Sequence, residues 1–237
     1  MVKKKTESKK KSKKKSTQEN KPSKKVRSAE EKQLIWFFLI IAVVFGSFLI
    51  PYFYIQELNK FDFVGIEWVT EPFGDSKIYH GRFYAFDGSD VVFNVYMRND
   101  PRKNDIPAEG NFNLFVKDES FITLGAEART CNGRQVSRAL VDLGSFLKAG
   151  VGVESLDVGT TDLKYSKDSG IKHVDCLTHP EKTVIRIEKG EESWIVQDKE
   201  NPYCYIIQVN SCEDIAPIEK FMVEAISDFK ETGISNQ

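Results

Sequence analysis

The chain has 237 residues, with 34 Lys+Arg against 35 Asp+Glu and a net charge of −1. The total hides a division: residues 1–33 hold 14 Lys+Arg against 4 Glu, a net of +10, which leaves 20 basic against 31 acidic residues and −11 for the rest. So large an asymmetry excludes one uniform chain and marks a tail with an environment of its own.

The tail, "MVKKKTESKKKSKKKSTQENKPSKKVRSAEEK", is low-complexity. With Val2 and Val26 its only clearly apolar residues after Met1, it cannot bury enough surface to offset the cost of ordering, so residues 1–33 read as disordered. Anionic lipid headgroups are the partner its cations suit, at about 1 kcal/mol for each cation near the surface. The plainer reading is a solvated topology determinant. No aromatic residue precedes Trp36, so the tail lacks the stacking platform that single-stranded nucleic acid uses.

Residues 34–55, "LIWFFLIIAVVFGSFLIPYFYI", carry no charge. As a helix rising ~1.5 Å per residue they span about 33 Å, enough for a hydrocarbon core of ~30 Å. Trp36 stands near one end, Tyr52 and Tyr54 near the other, where amphipathic rings meet headgroups. Pro51 is expected in the last turn, where bending is cheap. The 33 residues before the run and the lack of an A-x-A-like site in "IPYFYIQEL" argue against a cleaved signal peptide. The reading is an uncleaved single-pass anchor in the lipid bilayer of the cell membrane. The basic excess before it keeps the N-terminus cytoplasmic and places 56–237 outside.

Residues 56–237 suffice for one domain. "FDFVGIEWV" opens it as a strand, and "KIYHGRFYAFDGSDVVFNVYM" predicts a hairpin around "DGSD". "NFNLFV" and "SFITL" supply two short strands. Val136, Ala139, Leu140, Leu143 and Leu147 then recur at helical spacing, with Asn132 to cap the start and Gly150 to close the end. "VESLDV" reads as a strand and 159–182 as polar loop. "TVIRIEKGEESWIVQ" predicts a hairpin across "KGEE", and "YCYIIQV" a further strand. A last helix over 214–230 puts Ile215, Ile218, Met222, Ala225, Ile226 and Phe229 on one face, with Asp214 as cap and Pro217 in the first turn. The expected fold class is α+β, a largely antiparallel sheet covered by two helices.

All four cysteines, Cys131, Cys176, Cys204 and Cys212, fall in the outer domain, and an even number on the oxidising side favours disulfides. A strand rising ~3.3 Å per residue between Cys204 and Cys212 carries them far beyond the ~7 Å Cα limit, which also removes the connectivity containing Cys131–Cys176. Two pairings remain. The strand order favours Cys131–Cys212, both at strand-to-helix turns, with Cys176–Cys204, both near the entry ends of like-directed strands. A rival reading makes Cys212 a reactive thiol at a helix N-terminus, although Glu213 and Asp214 oppose a thiolate and no C-x-x-C motif occurs.

Two further clusters carry candidate chemistry. "HVDCLTH" gathers His173, Asp175, Cys176 and His179, donors that suit zinc, though the spacing matches no standard finger. In "RNDPRKND", Arg98, Arg102 and Lys103 could clamp a carboxylate or phosphate, with Asp100 and Asp105 placed to neutralise them. No G-x-S-x-G, H-E-x-x-H, Walker or EF-hand pattern occurs, and no cofactor is implied.

The Lys-rich start, single anchor, "RNDPR" turn after a strand and closing "CYIIQVNSC" before a helix resemble uncharacterised single-pass membrane proteins of archaeal type. The likeness rests on residues 91–107 and 201–225, under a fifth of the chain, and implies location without activity. Two functions follow as expectations. One is a surface-anchored module that binds a ligand or a protein partner in the envelope. The other is an extracytoplasmic thiol-redox or metal-dependent enzyme built on Cys212 or the "HVDCLTH" loop.

Overall fold

A computed structural model describes residues 29–113, 115, 118–131 and 134–233. The tail expected to be disordered therefore lies, through residue 28, outside the described residues. The chain divides into two compact units, Met1–Phe53 and Tyr54–Gln237. The first contains most of helix α1, Ala29–Leu58, the one described helix long and apolar enough to cross a membrane. It starts before the apolar run because "AEEKQ" has good helix formers, and it continues to Leu58. Pro51 thus stands inside the helix rather than in its last turn. A helix apolar on every side suits a bilayer or the centre of a large core.

The second unit begins with an antiparallel meander, β1 (Lys60–Phe63), β2 (Ile66–Phe73), β3 (Ser76–Tyr84) and β4 (Val92–Met97), in spatial order β1-β2-β3-β4. Alternation drives Trp68, Phe83, Val95 and Met97 to the buried face. Two-residue turns join the first three strands; in the first, Val64 and Gly65 both take positive φ, as the twist of a tight hairpin demands. Gly81 is required for packing, since a Cβ there would lie 3.0 Å from the Trp68 ring. The antiparallel expectation holds for this sheet.

It fails for the second. Strands β5 (Ala108–Glu109), β6 (Ser120–Leu124), β7 (Leu156–Thr160), β8 (Thr183–Lys189), β9 (Trp194–Gln197) and β10 (Cys204–Val209) form a mixed sheet ordered β5-β9-β10-β8-β6-β7. The pairs β10–β8, β8–β6, β6–β7 and β5–β9 are parallel, and β10–β9 alone is antiparallel. The expected "KGEE" hairpin does not form, because β10 lies between β8 and β9. Burial explains the exchange. Val184, Ile185 and Ile187 of β8 and Cys204, Tyr205, Ile207 and Val209 of β10 are buried on both faces, as neighbouring central strands of a parallel sheet are. The shorter, half-buried β9 goes outward.

"NFNLFV" is not a strand at its described positions: Asp228 accepts from Phe112 N at 2.5 Å, which holds residues 112–113 as a turn. Helix α2 (Gln135–Ser145) runs on as a π-helical segment, Phe146–Val151; the expected cap Asn132 lies outside the described residues. The region expected as polar loop contains α3 (Leu163–Ser169), started by the Asp162 side chain accepting from Lys164 N and Tyr165 N. Helix α4 (Ala216–Gly233) follows Asp214, whose Oδ1 accepts from Ala216 N at 3.2 Å.

Helix α4 does more than cover one sheet. Phe221 packs on Tyr205 of β10, while Phe229 stacks on Phe86 beyond β3 at 4.2 Å. Contact on both sides explains why Phe221, Val223 and even Glu219 are buried beside the apolar stripe that periodicity identifies. Both helices and the inner faces of both sheets share one hydrophobic core.

Candidate functional site

The turn after β4 builds one wall of the site. Asp100 accepts from Arg102 N and pairs with its guanidinium at 2.9 and 2.7 Å, while Pro101 opens a short 3-10 turn, Pro101–Lys103. The Arg102 guanidinium also lies 3.7 Å from the Phe61 ring centroid. Its side-chain hydrogen bonds, with its charge behind them, hold the Asp100 carboxyl below its ordinary range. Arg102 is thereby consumed locally, and the expected three-cation clamp is not assembled. Of the three, Arg98 lines a cavity that Arg102 and Lys103 do not line; its guanidinium donates to Gln135 of α2.

That cavity is a groove of about 350 Å³ bounded by β2–β4, α2 and the first turns of α4. Its floor is apolar, with Ile78, Met97, Ala139 and Met222, and Phe73 at the mouth. Arg98 and Arg138 stand on the rim with Asp142. Burial pushes the Asp142 carboxyl above its ordinary range, against the pull of Arg138 and Arg98.

Glu219 closes the inner end. One oxygen accepts from Arg98 N at 2.6 Å, the other from Asn99 N at 3.0 Å and Asn99 Nδ2 at 2.7 Å. Only 3% of the residue is exposed, and burial raises its pKa against those three donors. Neither Arg138 nor Glu219 is among the residues the sequence singles out. Arg138 carries only a weak signal, its i,i+4 spacing to Asp142 on a helix. Glu219 carries none, because its donors lie about 120 residues away.

The cysteines form two pairs, one of which ties the groove's helical walls. Cys131 joins Cys212 with Cα atoms 5.0 Å apart, and Cys176 joins Cys204 at 5.5 Å. The first bond ties the turns that launch α2 and α4, the two helical walls, and Cys212 O also accepts from Val136 N at 3.1 Å. Arg134 and Glu213 add an exposed ion pair at 3.0 Å. The second bond sits on the far face of the mixed sheet with Phe121, Val174 and Val184. All four cysteines are paired, so α4 begins without the free thiol that the redox reading needs.

The "HVDCLTH" residues do not converge on one point. The His173 backbone lies in an isolated bridge opposite Thr160, Asp175 accepts from Leu177 N at 2.7 Å, and His179 packs on Phe121 and bonds Thr178 Oγ1. Among the described residues no group of three or more His, Cys, Asp or Glu is arranged to hold a metal ion.

No family model, curated protein or solved structure matches this chain.

Proposed function

We propose that the chain is a single-pass, membrane-anchored module. Residues 1–33 stay in the cytoplasm, α1 crosses the bilayer, and the second unit sits outside, where it binds a small organic anion with an apolar body. The observation that carries the ligand reading is the groove. An apolar floor would desolvate the body, while Arg98 and Arg138 on the rim offer donors to an anionic head. Two cystine bonds and a basic excess before an apolar helix support the orientation. An envelope protein presenting such a group is the partner this module would serve.

Orientation is tested by adding protease to intact cells: the outer unit should be digested and an N-terminal tag spared. The reverse pattern overturns the topology. For the groove, 3-phenylpropanoate serves as probe, titrated by saturation-transfer NMR against the full chain in nanodiscs. Arg138→Glu should weaken it at least about tenfold, since one lost charge-assisted bond is worth ~1.5–3 kcal/mol. Equal affinity in the variant, or no saturable binding to the parent, refutes the groove as an anion site.

A further inference from the structure

Strand β4 forms one edge of the antiparallel sheet; among the described residues only β3 pairs with it. The register decides what that edge offers. Ala85 N donates to Val91 O at 2.9 Å, which makes this a hydrogen-bonded pair. Alternation along the ladder then makes Phe83–Phe93, Gly81–Val95 and Tyr79–Met97 hydrogen-bonded as well. Val92, Asn94 and Tyr96 are the intervening positions, so their N–H and C=O groups point away from β3. Arg98 continues the series, and its N–H goes to Glu219 instead of β3.

The strand's own sequence carries none of the usual protective residues. "VFNVYM" has no Pro, no Lys, no bulge and no charge, and Val91, Val92 and Tyr96 are 58%, 46% and 52% exposed. His80 stiffens the strand from its exposed face, stacking on Tyr96 at 4.5 Å and bonding Asn94 Oδ1 through Nε2 at 3.0 Å.

We infer that β4 is a self-pairing edge: two copies of this chain join antiparallel along it, with Asn94 on the two-fold axis. This register keeps each residue facing one on the same side of the sheet. Asn94 meets Asn94, and Val92 meets Tyr96 of the second copy, a β-branched–aromatic pair. Every outward N–H and C=O finds its complement, with two bonds from each of three residue pairs. The register also brings Asp90 opposite Arg98 of the second copy, so opposite charges meet at both ends of the seam. The four-stranded sheets become one of eight strands, and the contact is isologous and closed. Tyr96 and Arg98 belong to both the seam and the groove, so the substitutions that test the seam are placed at Val92 and Asn94, which do not line the groove.

The test uses the full chain in detergent micelles. Since every native cysteine is paired, Asn94→Cys adds the one free thiol. Across a two-fold axis the new residues have Cα atoms ~5.5 Å apart, within disulfide range. Mild oxidation should give a covalent dimer, whereas Leu177→Cys, 82% exposed on the loop before β8, should stay monomeric. Val92→Pro removes only an outward N–H and leaves the bonds to β3, so it should convert a sedimenting dimer to monomer. Val92→Lys should do the same should the proline variant fail to fold. A monomeric parent, equal cross-linking through Leu177→Cys, or a dimer that survives folded Val92→Pro or Val92→Lys overturns the seam.

Discussion

Replacing Cys131 and Cys212 together by alanine is expected to destabilise the outer unit by about 4.5 kcal/mol on the chain-entropy account, because the bond spans 81 residues. The Cys176–Cys204 bond, spanning 28, should be worth about 3.6 kcal/mol on the same account. At roughly 2–4 °C per kcal/mol for a domain of this size, the first variant should melt about 10–15 °C lower. The two losses should also differ in kind. Cys131–Cys212 anchors the starts of α2 and α4, so its removal should weaken 3-phenylpropanoate binding at a temperature where the unit is still folded. The other bond lies on the far face of the mixed sheet and should leave affinity unchanged. Thermal melts and the same NMR titration read both effects. Equal melting points for parent and double variant would show that the bond does not constrain the unfolded chain.

Glu219→Ala should destabilise the unit by about 2–4 kcal/mol, since it strips the acceptor from Arg98 N, Asn99 N and Asn99 Nδ2 in a largely buried place. Glu219→Gln keeps the shape and one acceptor oxygen but turns an amide toward donors, so its loss should be smaller, about 1–2 kcal/mol. The pH dependence separates charge from shape. Burial raises the folded pKa of Glu219 above its unfolded value, so the native state binds the proton more tightly. Stability from this group is therefore full below the ordinary carboxylate range and falls as pH rises through the raised folded pKa. Asp142 and Asp228, also raised by burial, act in the same direction. Asp100 and Asp162 are lowered and act oppositely, losing stability only as pH falls through their folded pKa values, below the ordinary range. Between about pH 4.5 and 7 the raised carboxyls govern the slope. Denaturant unfolding across that window should show a shallower fall for Glu219→Gln than for the parent. Parallel curves would mean that Glu219 does not change its proton affinity on folding.

Local pattern alone determined a large part of this protein. The charge run, the 22-residue apolar stretch, the "KIYHGRFYAF…VYM" hairpin and the two amphipathic helices each express a period or a composition confined to neighbouring residues. The cysteine logic was nearly as local, because a strand cannot fold back within its own length, and the structure brings Cys131 to Cys212 and Cys176 to Cys204. Tertiary structure decided the rest. Which strand lies beside β8 depends on two-sided burial of β10, a property of the whole sheet that "KGEE" cannot express. Asp100 pairs with Arg102 within the turn, so the cations left on the groove's rim are Arg98 and Arg138, which only the approach of α2 to the end of β4 brings together. Glu219 looks like any first-turn acid of a helix. It becomes a buried acceptor because α4 meets the N–H groups just after β4, a contact about 120 residues long in sequence and a single hydrogen bond long in space.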